Sequence, residues 1–99
     1  MRVISAKRLK DFWEHKNYAE SEQSLRAWYA EAKAADWKNP NEIKAKYHTA
    51  SFVGNNRVVF NIKGNNYRLV VAIRYEFKIV YVRFTGTHEQ YDRIDAGRI

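Results

Sequence analysis

The 99-residue chain has no cysteine, which excludes disulfides and thiolate metal sites. Its three histidines are scattered, with no close His/Cys cluster, so neither a metal nor a cofactor is expected. No apolar run approaches membrane-spanning length, and no signal-peptide pattern opens the chain. There is no repeat, linker or low-complexity stretch either. The expectation is one domain over residues 1–99, soluble and cytoplasmic, with no membrane contact. The most telling absence is of negative charge. From Ile43 to Tyr75 there is no Asp or Glu, while Lys44, Lys46, Arg57, Lys63, Arg68 and Arg74 fall inside the same span. With a formal net charge of +7, one half of the protein carries an uninterrupted positive field, and that favours a polyanionic partner.

What is present suffices for a core: 45% of residues are hydrophobic and 15% aromatic. Residues 2–4 can form a short strand. Ser5 can cap a helix running to about Lys16, with Leu9, Phe12 and Trp13 at i, i+3, i+4 as its buried stripe. A second helix is predicted over about residues 20–35, with Leu25, Trp28, Tyr29 and Ala32 inward, packing on the first as a hairpin. NPNE at 39–42 reads as a third start: Asn39 caps, the single proline Pro40 takes the first helical position, and Glu42 closes the box.

The rest is strand-like. VVFNI (58–62), NYRLVVAIRY (66–75) and FKIVYVRF (77–84) form an antiparallel meander, the first two joined by KGNN, and residues 87–95 add a last helical turn. The fold class is α+β, with N-terminal helices on a mostly antiparallel sheet of three to four strands. Pairing Ile62 with Tyr67 and Arg74 with Ile79 sorts the residues by alternation. Val58, Phe60, Ile62, Tyr67, Leu69, Val71, Ile73, Val80, Val82 and Phe84 share the core face. Arg57, Asn61, Arg68, Arg74, Tyr81 and Arg83 share the other, a platform suited to phosphate because arginine binds it bidentately.

His88 follows the last strand, with Tyr91 and Asp92 at i+3 and i+4. Imidazole exchanges a proton near neutral pH. RNA cleavage needs that: the 2′-hydroxyl loses a proton, the leaving 5′-oxygen gains one, and the phosphorane between them is stabilised by fixed cations. His88 with Arg68, Arg83, Lys63 and Tyr91 supplies these parts without a metal. Spacing alone leaves a lone loop histidine as a surface residue, as it does His15 and His48. It also leaves open a non-catalytic RNA- or ribosome-binding module, or a basic protein that docks on an acidic one.

The segments VVFNIKGNNYRLVVAI and VYVRFTGTHEQYD resemble the HigB-type toxins of bacterial toxin–antitoxin systems, within the wider RelE-like ribonucleases. The family pattern is FN-[IV]-x-G-N-x-x-R-x-V, an apolar and aromatic strand ending in Arg, then T-H-x-x-Y-D. The match covers about residues 38–95. The resemblance implies a RelE-like toxin domain that cleaves mRNA, often on the translating ribosome, and is neutralised by a helix-turn-helix antitoxin. It assigns Arg68 as a phosphate ligand and His88 as the acid–base group, with Tyr91 and Asp92 completing the motif. Lys63, Asn61, Arg57, Arg74 and Tyr81 then form the expected RNA-binding set.

Overall fold

The central hairpin of the sequence is also the centre of the fold. In a computed structural model describing residues 1–99, β3 (Arg57–Ile62) and β4 (Tyr67–Arg74) pair antiparallel, with Ile62 opposite Tyr67. Their Val- and Ile-rich runs favour the extended chain. β5 (Ile79–Thr87) returns along β4, starting from Arg74 opposite Ile79. Two three-residue edge strands complete the sheet: β1 (Arg2–Ile4), parallel to β5, and β2 (Ser51–Val53), antiparallel to β3. The order is β1-β5-β4-β3-β2, five strands in place of the three to four expected. Three residues carry too little alternation for β2 to declare itself; its partner strand defines it.

Helices α1 (Lys7–Trp13), α2 (Glu22–Ala34) and α3 (Pro40–Lys46) supply the other layer. Leu9, Leu25, Trp28, Ala32 and Ile43 are buried against Val58, Phe60, Leu69, Val71, Ile73, Val80 and Val82. Phe60 lies at the heart of this layer, its ring centroid 5.5 Å from Trp28 and 5.0 Å from Tyr47. Burying a side chain of this size is worth about 1.5–3 kcal/mol. Asn39 caps α3 as expected, its Oδ1 accepting the Glu42 N–H at 3.1 Å. Glu42 Oε1 accepts from the Lys38 N–H, one residue earlier than a capping box requires.

Other boundaries depart from expectation. Ser5 has φ 64° and makes no cap, so α1 begins later. The second helix starts two residues later than expected. A 3₁₀ segment, Lys16–Ser21, precedes α2, and His15 Nδ1 caps it by accepting the Asn17 N–H at 3.1 Å. His15 therefore has a structural job that a reading of it as a bare surface residue did not anticipate.

Two corrections concern the sheet face away from the helices. The first is a β-bulge. Val71 lies opposite Val82 but Val70 lies opposite Phe84, so Arg83 is the extra residue. The bulge turns Phe84 out of the expected core face; it packs instead with Val59 and Val70 on the opposite side. The second is a cover. Ile94, Ala96 and Ile99 close over Val59 and Val70, burying the middle of a face that was expected to lie open.

Candidate functional site

Strand register sets rows of residues across the sheet, alternately on the open face and on the core face. Asn61, Arg68 and Gly86 form one row across β3, β4 and β5, and Ile62, Tyr67 and Thr87 form the next. His88 follows Thr87 directly, so the hairpin turn and the chain leaving β5 meet at one end of the sheet. The His88 N–H donates to the Asn66 carbonyl at 3.3 Å, which ties the two segments together.

The spacing of THEQYD builds the histidine's mount. Thr87 Oγ1 accepts the Gln90 N–H at 3.1 Å, and Gln90 Oε1 accepts the Thr87 N–H at 2.9 Å, a complete capping box that starts α4 (His88–Tyr91). Gln90 Nε2 also donates to the Tyr18 hydroxyl at 3.1 Å, anchoring α4 to the 3₁₀ segment. Tyr91 faces the Val59–Val70 cluster, so its ring is partly structural. Asp92, one helical turn on, places Oδ2 3.2 Å from His88 Nδ1. That contact orients the ring and leaves Nε2 free for a substrate. Both side chains are more than half exposed, 53% and 57%.

Arg68 is half-buried. Its Nη1 donates to the Asn65 carbonyl at 2.9 Å and to the Tyr67 carbonyl at 3.2 Å, which folds the guanidinium against the turn. Its Nε and Nη2 have no protein acceptor. Lys63, in the same turn, is exposed and takes φ 51°, a left-handed conformation disfavoured for a residue with a Cβ. Asn61 lies beside Arg68, its amide 3.5 Å from the Thr49 carbonyl. Gly86 has no room for a Cβ: one would sit 2.5 Å from the Phe84 ring and 2.7 Å from Gln90 Oε1. Phe84 and the α4 cap thus close over the glycine opposite Arg68.

The other expected residues lie elsewhere. Arg83 is exposed at the bulge, three residues from Gly86, roughly 10 Å along the strand. The bulge sets it one residue further from Arg68 than an unbroken ladder would. Its carbonyl accepts from Arg8 Nη1 at 3.3 Å, which brings a cation of α1 to the same edge. Tyr81 is half-buried opposite Ala72 at mid-sheet. Arg57 lies in that row on β3, roughly 13 Å along the sheet from Arg68. Its Nε donates to the Ile99 carbonyl at 3.0 Å and its Nη1 to the Asn55 carbonyl at 2.9 Å. Arg74 is further still, with Nε 3.1 Å from Glu76 Oε1.

Beside His88 opens a cleft of about 380 Å³ between the hairpin turn, α4 and the 3₁₀ segment. Among its lining residues is Glu20, which belongs to no motif in the sequence. Glu20 Oε1 accepts the Tyr67 hydroxyl proton at 2.8 Å. Burial first, and this carboxylate second, push the Tyr67 hydroxyl up to about 12. No group of three or more His, Cys, Asp or Glu side chains converges anywhere in the fold.

Comparison with known proteins places this architecture. Residues 21–94 match the family model described as HigB_toxin, RelE-like toxic component of a toxin–antitoxin system. The chain is 30% identical over 98 residues to the mRNA interferase toxin HigB of Escherichia coli K12, covering 97% of this chain and 92% of that protein. It has the same identity and coverage with proteins named mRNA interferase HigB from Escherichia coli O157:H7 and Shigella flexneri. With a matching model over most of its length and relatives aligned nearly end to end, the chain belongs to the HigB family of RelE-like toxins of toxin–antitoxin systems.

Proposed function

We propose that this toxin is an endoribonuclease that cleaves mRNA in the cytoplasm, with message on the ribosome as its substrate. The reaction is attack of a ribose 2′-oxygen on the adjacent phosphorus, with expulsion of the 5′-oxygen. Neutral His88 takes the 2′-hydroxyl proton and, as imidazolium held by Asp92, delivers it to the leaving 5′-oxygen. The products are a 2′,3′-cyclic phosphate and a 5′-hydroxyl, and no metal is required. Arg68, with Nε and Nη2 unspent, stabilises the charge on the phosphorane. Lys63 and Asn61 flank that phosphate, and Arg83 serves the backbone further along. Arg57 and Arg74 contribute to the field more than to contact.

The observation that carries this reading is the capped Thr87–Asp92 turn, which mounts a carboxylate-oriented imidazole where the chain meets the turn holding Arg68. The family implies a cognate antitoxin; a helix-turn-helix protein that blocks cleavage is the proposed form. The deciding experiment is an RNA-cleavage assay with and without ribosomes, comparing wild type with His88→Ala and Arg68→Ala. Loss of cleavage in both variants with the fold retained supports the enzyme. Binding without cleavage by wild type in either format would replace it with a non-catalytic RNA-binding module.

A further inference from the structure

The cleft beside His88 differs chemically from the basic face. It contains no lysine or arginine, and two carboxylates, Glu20 and Glu89, stand at it. A phosphate would be repelled there. Three asparagines also line it, Asn17, Asn65 and Asn66. In each, only main-chain atoms are hydrogen-bonded within the protein, so three side-chain amides stand with donors and acceptors unused. Neither tyrosine at the cleft is a free stacking platform: Tyr67 is buried, and other rings cover Tyr18. Phe12 stacks on it at 4.5 Å and His15 at 4.9 Å. An occupant of this cleft is held by hydrogen bonds along its edge.

Such a lining suits a nucleobase, and the division of labour is the usual one: cations position phosphates, and neutral polar groups and carboxylates read bases. We propose that the cleft takes one unstacked base next to the scissile phosphate, and that Glu20 selects a base carrying an exocyclic amino group over uracil. Glu20 is fixed by the Tyr67 hydroxyl on Oε1, which leaves acceptor capacity on both oxygens and no donor. Adenine and cytosine offer an amino group, and guanine offers adjacent N1–H and N2–H donors. Uracil presents carbonyl oxygens on both sides of its single N–H and meets the carboxylate acceptor to acceptor. The site deepens the ribonuclease reading and rests on it, since His88 is shared between the cleft and the reacting phosphate.

The test maps cleavage ends on a random-sequence message for wild type, Glu20→Gln and Asn17→Ala. Wild type should show amino-bearing bases over uracil, by roughly tenfold, at one fixed position flanking the cut. Glu20→Gln keeps an acceptor for Tyr67 but adds a donor, and should erase most of that preference while cleavage continues. Identical base frequencies in wild type and Glu20→Gln overturn the proposal. So does equal loss of cleavage at every sequence in folded Glu20→Gln, which would give Glu20 a proton-transfer role. Should Glu20→Gln fail to fold, Asn17→Ala, on the exposed 3₁₀ segment, must shift the same position or the proposal falls. If wild type cleaves nothing, the ribonuclease reading fails on its own. The cleft is then judged by binding of short A, C, G and U oligonucleotides, where a uracil disfavour that depends on Glu20 retains it and its absence ends it.

Discussion

The two ends of the sheet face away from the helices carry two cations each and use them differently. At the far end, Arg57 is clamped by the carbonyls of Ile99 and Asn55, and Arg74 is paired with Glu76. At the near end, Arg68 commits one nitrogen to the hairpin turn, and Lys63 has no partner. Between them the closing segment buries Val59 and Val70. A guanidinium satisfied by main-chain carbonyls is a cross-link for a tail. One held by a single nitrogen is oriented and still able to receive an anion. Counting cations along the sequence therefore does not give the chemistry each one can perform.

Substitutions can break or sharpen this contrast. The largest effect belongs to the near end: His88→Ala should lower RNA cleavage about 10²- to 10⁴-fold, the range for a lost general acid–base group. Its melting temperature should stay near that of wild type, because the imidazole is more than half exposed and its polar partner, Asp92, is equally exposed. Arg68→Ala should follow with a loss of about 10²-fold in single-turnover rate. If Arg57→Ala costs as much, the two ends are not distinct.

The expected result for Arg57→Ala is a destabilisation of about 1.5–3 kcal/mol in denaturant titrations, for loss of charge-assisted bonds to the tail. Hydrogen exchange should quicken at Ile94 and Arg98, whose N–H groups are bonded within the closing segment, and cleavage should change by less than about threefold. Lys63→Gly should separate stability from function at a single site. Relief of the positive φ should add about 1 kcal/mol of stability, while removal of the cation should slow cleavage severalfold. A slower but equally stable variant would mean that the turn relaxes around lysine without strain.

A last effect, on stability alone, lies at high pH. The folded state holds the Tyr67 proton up to about 12, whereas the unfolded chain releases it near 10. The native state then binds more protons than the unfolded one, so stability is intact below about pH 10 and falls as pH rises toward 12. Tyr47 is raised in the same direction, by burial first and by Glu31 second. Tyr67→Phe should flatten the alkaline loss measured by urea titration without removing it; an unchanged slope would detach Tyr67 from it.

Much of this was legible beforehand. The register of the first hairpin, and of the second as far as Val82, followed from alternation and turn residues, and with it the core face from Val58 to Val82. THEQYD was visible as a unit, although its spacing looked catalytic where half of it is a capping box. The tail's cover had a sign that was passed over. LVVAI at 69–73 is apolar without alternation, which marks a strand buried on both sides. The bulge at Arg83 had none, because RFTG reads as ordinary edge strand. Glu20 was hidden for a related reason, since its only partner, Tyr67, lies 47 residues away.

Residue order by itself determined the three long strands, their facing up to the bulge, the cap of α3 and the positions of histidine and arginine along the chain. These depend on periods of two to four residues and on local caps. The tertiary structure alone decided which arginines stay available, where the open face ends, and that an asparagine-lined cleft adjoins the histidine. Those outcomes depend on which distant main-chain carbonyls and apolar side chains come to lie over a given row of the sheet, and no local pattern encodes that.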